Sequence, residues 1–338
     1  MCGGGRGMAG RFPHDHGPRL GGDSTAGPRT VAEIYDIRGD IWRAAPALPA
    51  GLQQFGVAEY GGKLYVSGGY EAPPAQRPEF GTFGAEGAAD ASEEEGDTAR
   101  TWSYDPRVGT WISLAAMPGA RAGHGFIAVG DRIYALSGRG GGASRVWVYD
   151  PIENDWSATG DAMPSPRVSA AYVEVDGRIY VIGGLVNGVA TDQVDIFDPA
   201  SGRWQSGPRL PSPRSGHVAA LVDGRIHVTG GELRRPPRTY GDHFVLDLAS
   251  GSWSKAAPMP TPRHGAVAAA VRGQASTRSS PSPTSSISIP RSNPRSAPFG
   301  VMTAGQGRGK VARQRTGKRR CLPTTTLRSI SIWAKPPT

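Results

Sequence analysis

Residues 122–138 read AGHGFIAVGDRIYALSG, residues 145–156 read RVWVYDPIENDW, and residues 162–167 read AMPSPR. Residues 169–184 then repeat much of the first piece as SAAYVEVDGRIYVIGG. One unit therefore consists of a strand of small residues, a strand ending in glycine, a strand ending in Tyr-Asp-Pro, and a strand carrying Trp. The tryptophans give the period: Trp111, Trp156, Trp204 and Trp253 are 45, 48 and 49 residues apart, and Trp42 lies 69 residues before Trp111. Repeats of this length built only from short strands are blades of a β-propeller.

Worked outward, the pattern begins halfway through a unit. VAEIYD and DIWRAA, from Val31, read as third and fourth strands of a blade whose first two are missing. Four whole units follow. The first is QQFGVAEY, KLYVSGG, RTWSYDP and TWISLA; the second is GHGFIAV, RIYALSG, RVWVYDP and DWSATG. The third is SAAYVEV, RIYVIGG, QVDIFDP and RWQSGP; the fourth is HVAALV, RIHVTGG, HFVLDL and SWSKAA. A fifth opens with HGAVAAAV and stops.

Each recurring position has a physical reason. Ala, Gly and Val dominate the first strand, as the crowded axis of a propeller requires. The second strand ends at Gly68-Gly69, Gly138-Arg139, Gly183-Gly184 and Gly230-Gly231, where glycine permits a positive φ or a close backbone approach. Tyr35, Tyr104, Tyr149, Phe197 and Leu246 each stand seven residues before a Trp. Asp105-Pro106, Asp150-Pro151 and Asp198-Pro199 start the turn between them, Asp by a local side-chain bond and Pro by its fixed φ. The aromatic and the Trp fill the wide outer wedge between blades.

The Gly pair, the aromatic seven residues before Trp and the Pro-Arg link recur together from Val31 to Val271, and in this the chain resembles the kelch repeat. The resemblance implies an all-β, kelch-type β-propeller of four-stranded antiparallel blades, four complete and others partial. Arg139 in place of a glycine and Leu246 in place of an aromatic are departures from it. Residues 1–30 and the low-complexity stretch 272–338 read as disordered flanks of a propeller at 31–271. No BTB-like or BACK-like domain precedes the repeats, so the resemblance does not extend to a ubiquitin-ligase adaptor.

A four-stranded meander puts the turns 1–2 and 3–4 at one end and the loops 2–3 and interblade links at the other. The links MPGARAGH, MPSPRVS, LPSPRSGH and MPTPRHG bring Arg121, Arg167, Arg214 and Arg263 to equivalent places at the channel mouth. His124, Ser169, Ser215, His217 and His264 lie beside them. In kelch propellers this end commonly forms the ligand face, which makes these residues the candidates here. A residue present in every link also reads as architecture, its guanidinium bonding backbone carbonyls. The 2–3 loops differ between units, as binding loops do. That of the first unit, Tyr70 to Arg100, is acidic, and the fourth, GELRRPPRTYGDH, is basic through Arg234, Arg235 and Arg238.

The net charge of +9 belongs to the tail. Of 38 Lys and Arg, 13 fall from Arg272 onward, where there is no Asp or Glu, so all 29 acidic residues lie in the remainder. GKVARQRTGKRR at 309–320 could hold phosphates through counterion release, the one nucleic-acid signal present. At Gly273 periodicity, Trp spacing and acidic residues cease together, a break that implies a change of reading frame or an alternative 3′ sequence. A rival reading closes five blades, with residues 31–44 completing the blade begun at 264–271 and ISI (287–289) or SISIW (329–333) adding a strand.

Nothing points to a resident cofactor or metal. There is no G-x-S-x-G, Walker loop or Cys/His zinc spacing, and His14-Asp15-His16 is too short a set of ligands. Galactose oxidase-like copper enzymes of the kelch class need a Cys joined to a Tyr, whereas Cys2 and Cys321 both fall outside the repeats. Sialic acid mutarotases are kelch propellers with a polar, Arg-bearing pocket and supply the enzymatic alternative. The leading expectation is a monomeric binding module for a protein or a small polar ligand, without a membrane role. It is cytoplasmic by default, because the N-terminal stretch has no apolar core of a secretory signal.

Overall fold

The computed structural model describes residues 16–21, 28–36, 41–71, 96–271 and 274–278. Both cysteines, His14-Asp15, the middle of the acidic loop, the 309–320 cluster and the segments 287–289 and 329–333 lie outside them. Among the described residues every regular element is a strand.

The first sheet joins β1 (His16–Leu20), β2 (Ala32–Asp36) and β3 (Ile41–Ala44). The next is the meander of β4 (Gly56–Tyr60), β5 (Lys63–Ser67), β6 (Thr101–Asp105) and β7 (Thr110–Leu114). A short strand β8 (Arg121–Ala122) leads to β9 (Gly125–Val129), β10 (Arg132–Leu136), β11 (Arg139–Gly140), β12 (Trp147–Asp150) and β13 (Asp155–Ala158). Here β8 pairs with β11, and the other four strands form the blade. The third complete blade is β14 (Ala171–Val175), β15 (Arg178–Ile182), β18 (Val194–Asp198) and β19 (Arg203–Ser206). The hairpin β16 (Leu185–Val186) and β17 (Val189–Ala190) interrupts it. The fourth is β20 (Ser215–Val222), β21 (Arg225–Arg234), β23 (His243–Asp247) and β24 (Ser252–Ala256), with β22 (Pro237–Thr239) paired to the end of β21. A last hairpin joins β25 (Val267–Val271) and β26 (Gln274–Arg278). The innermost strands β4, β9, β14, β20 and β25 neighbour one another in that order. This is a propeller arrangement with four complete blades.

The spacing of seven is a cross-strand register. Tyr35 faces Trp42, Tyr104 faces Trp111, Tyr149 faces Trp156, Phe197 faces Trp204, and Leu246 faces Trp253. Four indoles also tie successive blades together. Trp111, Trp156, Trp204 and Trp253 donate Nε1–H to the carbonyls of Pro46, Ala115, Asp161 and Pro208 in the preceding link, at 2.9–3.1 Å. Each acceptor stands three residues before the Pro of a Leu-Pro or Met-Pro pair. The polar end of the ring is thereby satisfied while its body packs in the wedge.

The glycine pair is an interblade clamp, and its register corrects the sequence expectation. The amides of Gly69, Gly138, Gly184 and Gly231 donate to the carbonyls of Arg121, Arg167, Arg214 and Arg263, the arginines of the following links. In the second blade the pair is therefore Ser137-Gly138, not Gly138-Arg139, and Arg139 opens the 2–3 loop. A Cβ on the first glycine would meet the arginine carbonyl at 2.4 Å at Gly68 and 2.5 Å at Gly230. Ser137 occupies that position at φ 63°. Its hydroxyl donates to the Arg167 carbonyl at 2.6 Å and accepts the Arg167 amide at 2.7 Å.

The two ends of the repeat array also differ from expectation. His16–Leu20, read as part of a structureless leader, is a strand along β2, with Leu20 buried against Ala32, Leu52 and Phe55. In the five-blade reading β25 completes the sheet of β2 and β3. Instead β25 pairs with β26, and β2 pairs with β1 and β3.

Candidate ligand face

The links and the 2–3 loops meet at one end of the propeller through short backbone pairings. Gln53 bridges Tyr70, Ala122 pairs with Arg139, Val168 bridges Leu185, and Ser215 pairs with Glu232. Just inside these, one residue per link turns the chain inward with positive φ: Gln54, Gly123, Ser169, Gly216 and Gly265, at 56–64°. Their backbones hydrogen-bond from blade to blade. Gly123 donates to Gln54, Gly216 to Ser169, and Gly265 to Gly216, at 2.7–3.0 Å. Apart from Gln54 this rim is set by small residues, so the other groups that reach the mouth come from the loops.

The link arginines divide into three and one. Arg121, Arg167 and Arg214 are fully buried, and Arg263 is exposed. The Arg121 guanidinium donates to the carbonyls of Ala135, Gly142 and Arg145 and lies 3.9 Å over the Trp147 ring. Burial pushes its pKa down to about 10. Arg167 donates to the Val181 carbonyl, to Gln193 Oε1 at 3.0 Å and to the Asp195 carboxylate. Arg214 donates to the Gly230 carbonyl at 3.0 Å and to Ser212 Oγ at 2.6 Å, between the rings of Tyr240 and Phe244. Each of the three staples the second strand of its own blade to the 2–3 loop or the third strand. Backbone carbonyls hold the charge of all three, joined by the Asp195 carboxylate at Arg167 and by Asp242, 3.6 Å away, at Arg214, as a buried guanidinium requires.

The histidines and serines also pack between blades. His124 and His217 are buried, and burial with a neighbouring arginine pushes both imidazoles down to about 3. His124 Nε2 lies 2.7 Å from where a Cβ on Gly56 would stand, and His217 Cε1 lies 2.6 Å from such a Cβ on Gly183. Each ring thus fills the space left by a glycine of the preceding blade. Ser169 and Ser215 are buried, and neither hydroxyl makes a hydrogen bond among the described residues. His264 is half-buried, with Nδ1 3.5 Å from Glu232 Oε2.

Two polar clusters gather at this end from residues far apart in sequence. In the first, Arg139 donates Nε–H and Nη2–H to the two Asp97 oxygens, at 3.1 and 2.8 Å, and Nη1–H to Gln54 Oε1 at 2.6 Å. Its guanidinium stands over Tyr70 at 5.8 Å. The base of the acidic loop is closed beside it, through the bridge of Tyr70 to Asp97 and the Glu71 amide on the Gly96 carbonyl. In the second, Glu232 lies between His264 and Arg234, whose Nε is 3.5 Å from its carboxylate. Gln54 and Glu232 were not found from sequence; Asp97 was read only as part of the acidic loop, and Arg139 only as a break in the glycine pattern. Among the described residues no three His, Cys, Asp or Glu side chains are placed to share a metal ion. Nor is any helix there long and apolar enough to cross a membrane.

A family model for the KLHDC2/KLHL20/DRC7 Kelch-repeats domain matches residues 43–231. Mouse Kelch-like protein 35 is 27% identical over 177 residues, covering 51% of this chain and 26% of the relative. Alpha-scruin of Limulus polyphemus is 27% identical over 187 residues, 53% of this chain and 18% of the relative. Human Kelch-like protein 34 is 33% identical over 133 residues, 38% of this chain and 19% of the relative. The matches thus span about a quarter or less of these relatives' lengths. A solved structure, that of YjhT, superposes with a TM-score of 0.59 at 18% identity, over 74% of this chain and 86% of its own. At that identity the likeness is one of fold.

Proposed function

The chain belongs to the kelch-repeat family, and we propose that it acts as a binding module. Its partner, a protein or a small polar ligand, seats on the end that carries the 2–3 loops and the Pro-Arg links. One observation carries this reading. Polar groups supplied by separate blades, Gln54, Asp97 and Arg139 on one side and Glu232 and His264 on the other, converge at that end. Arg263 is the link arginine whose side chain faces solvent there, and Arg121, Arg167 and Arg214 support the face from beneath. Loops on a rigid scaffold are the usual place for recognition.

The carbohydrate-directed alternative draws on a pocket that offers arginine to a sugar acid. Committing three link guanidiniums to carbonyls and side chains of their own blades weighs against it. The two readings separate by chemistry. Incubation with sialic acid followed by NMR reports anomer interconversion, and a binding module leaves the rate at its uncatalysed value. The position of the face is tested by charge reversal at its two ends. Arg139→Glu, at the loop end, should weaken binding of a bound partner at least tenfold, whereas Arg107→Glu, on a 3–4 turn at the opposite end, should leave it unchanged. The reverse pattern would move the site to the other end.

A further inference from the structure

The 2–3 loop of the third blade ends in a reactive pair. Asn187-Gly188 joins β16 to β17, with only Leu185 opposite Ala190 and Val186 opposite Val189 behind it. Both turn residues have positive φ, 48° and 77°, the combination of a type I′ turn, which asparagine and glycine enter most readily. The base of this hairpin is held. Leu185 is buried and exchanges both backbone hydrogen bonds with Val168, and the Thr191 amide donates to the Gly184 carbonyl. Its tip is not held. Asn187, Gly188 and Val189 are exposed, Val189 to 70%. A segment with so few buried contacts opens locally at low cost.

Two other tight turns show what this tip lacks. At Gly61-Gly62 and Asp176-Gly177 both central residues again have positive φ. The amide of the second glycine there donates to the carboxylate of the residue three before it, Gly62 to Glu59 at 3.0 Å and Gly177 to Glu174 at 2.9 Å. A carboxylate in that place keeps the proton on the amide, because one negative charge opposes another beside it. The residue three before Gly188 is Leu185, whose side chain offers no acceptor. The Gly188 nitrogen is thus free to lose its proton to solvent base, and without a Cβ it lies open to the neighbouring side-chain amide.

The chain's two other asparagines are placed differently. The Asn154 side-chain oxygen accepts from the Tyr149 hydroxyl at 2.7 Å and from the Ala115 amide at 2.9 Å, and the next residue, Asp155, is paired with Asp150. Asn293 precedes Pro294, whose nitrogen has no hydrogen to lose.

We propose that Asn187-Gly188 is a self-modifying site, at which this loop exchanges a neutral amide for a carboxylate. When the tip opens, the deprotonated Gly188 nitrogen bonds to Asn187 Cγ and the Cγ–Nδ2 bond breaks. The proton lost by the glycine nitrogen returns through water to the departing amine, which leaves as ammonia. Water then opens the five-membered imide. Cleavage at Cγ yields aspartate, and cleavage at the Asn187 backbone carbonyl yields isoaspartate. Either product brings a negative charge, and isoaspartate also lengthens the backbone of a turn that has room for two residues. Because β17 lies alongside β21, the change falls where the loops of the third and fourth blades meet. The chemistry stands apart from the binding-module reading, since it is read on the free chain.

The test holds the full chain at 37 °C for two weeks, at pH 7.4 and pH 9.0, beside a sample unfolded in guanidinium chloride. Mass spectrometry of tryptic peptides 179–203 and 146–167 reads the conversion of Asn187 and Asn154, and enzymatic methylation of isoaspartate reads the imide route. Each folded rate is divided by the unfolded rate of the same peptide, which removes the effect of the following residue. That ratio should be at least tenfold larger at Asn187 than at Asn154. Conversion at Asn187 should be at least fivefold faster at pH 9.0, with isoaspartate as the larger product, and should stop in Asn187→Gln. Equal ratios at the two asparagines would overturn the proposal, because the closed hairpin would then protect Asn187 as well as packing protects Asn154. Aspartate formed without isoaspartate would overturn it too, since direct hydrolysis would have replaced attack by Gly188.

Discussion

The interior blades and the end sheets use the same residues for different ends. Arg121, Arg167 and Arg214 lie beneath complete blades and are fully buried, whereas Arg263 precedes a hairpin of two described strands and is exposed. The backbone does not share the distinction, since the Arg263 carbonyl accepts the Gly231 amide as the other three accept theirs. The tryptophans repeat the contrast. Trp156 is 9% exposed between two blades, and Trp42, on the outer strand of the first sheet, is 38% exposed with Ile41 beside it at 40%. A repeat position in a propeller is therefore half of a contact, and its energetic role depends on whether the neighbouring blade supplies the other half.

Three measurements bear on that contrast. The largest difference is expected at the arginines. Arg167→Met leaves the Asp195 carboxylate and the Val181 carbonyl without their donor and should cost about 3–5 kcal/mol in urea unfolding. Arg263→Met should stay within about 0.5 kcal/mol. Equal losses would erase the distinction between interior and end. Tryptophan follows closely: Trp156→Ala should cost about 3–5 kcal/mol, and Trp42→Ala well under half of that, since much of its ring is already in water. A Trp42→Ala loss as large as that at Trp156 would mean that the first sheet is as tightly enclosed as an interior blade.

The third measurement is the smallest and depends on pH. His124 and His217 titrate near 3 in the folded chain and near 6.5 unfolded, so the unfolded state binds the extra protons. Their contribution is fully present above about pH 6.5 and declines as pH falls towards 3. At pH 5 each ring should have withdrawn about 2 kcal/mol. Phe55 occupies the place of His124 in the first complete blade, which makes His124→Phe the natural comparison. Subtracting its urea-unfolding profile from that of the parent cancels the carboxylates. The difference should grow as pH falls from 6.5 to 4, and a flat difference would show that His124 is solvated.

Much of this fold is legible in a single strand of letters because a repeat makes the same local choices several times. The spacing of seven from Tyr149 to Trp156 is a two-strand register, and its recurrence at Phe197 and Trp204 leaves little freedom in the pairing. The misreading at Ser137 shows the limit. Gly138-Arg139 looked like a damaged pair because a serine at positive φ was not anticipated, and the hydrogen bonds that hold it come from Arg167, thirty residues away. The strand His16–Leu20 was invisible for a related reason. HGPRL has no strand alternation of its own and lies along the edge of β2.

The sequence by itself determined the architecture of blades, their number of complete copies, the end at which loops and links gather, and which loops are acidic or basic. Those properties follow from local periodicity and composition, which the chain carries residue by residue. The tertiary structure alone decided what the link arginines do, that the glycine pair clamps one blade to the next, and that Arg139 meets Asp97 and Gln54 across 42 and 85 residues. A guanidinium in a link has the same local sequence whether it turns inward or outward. Its burial is settled by the carbonyls and rings that neighbouring strands bring to it, and those exist only once the blades have packed.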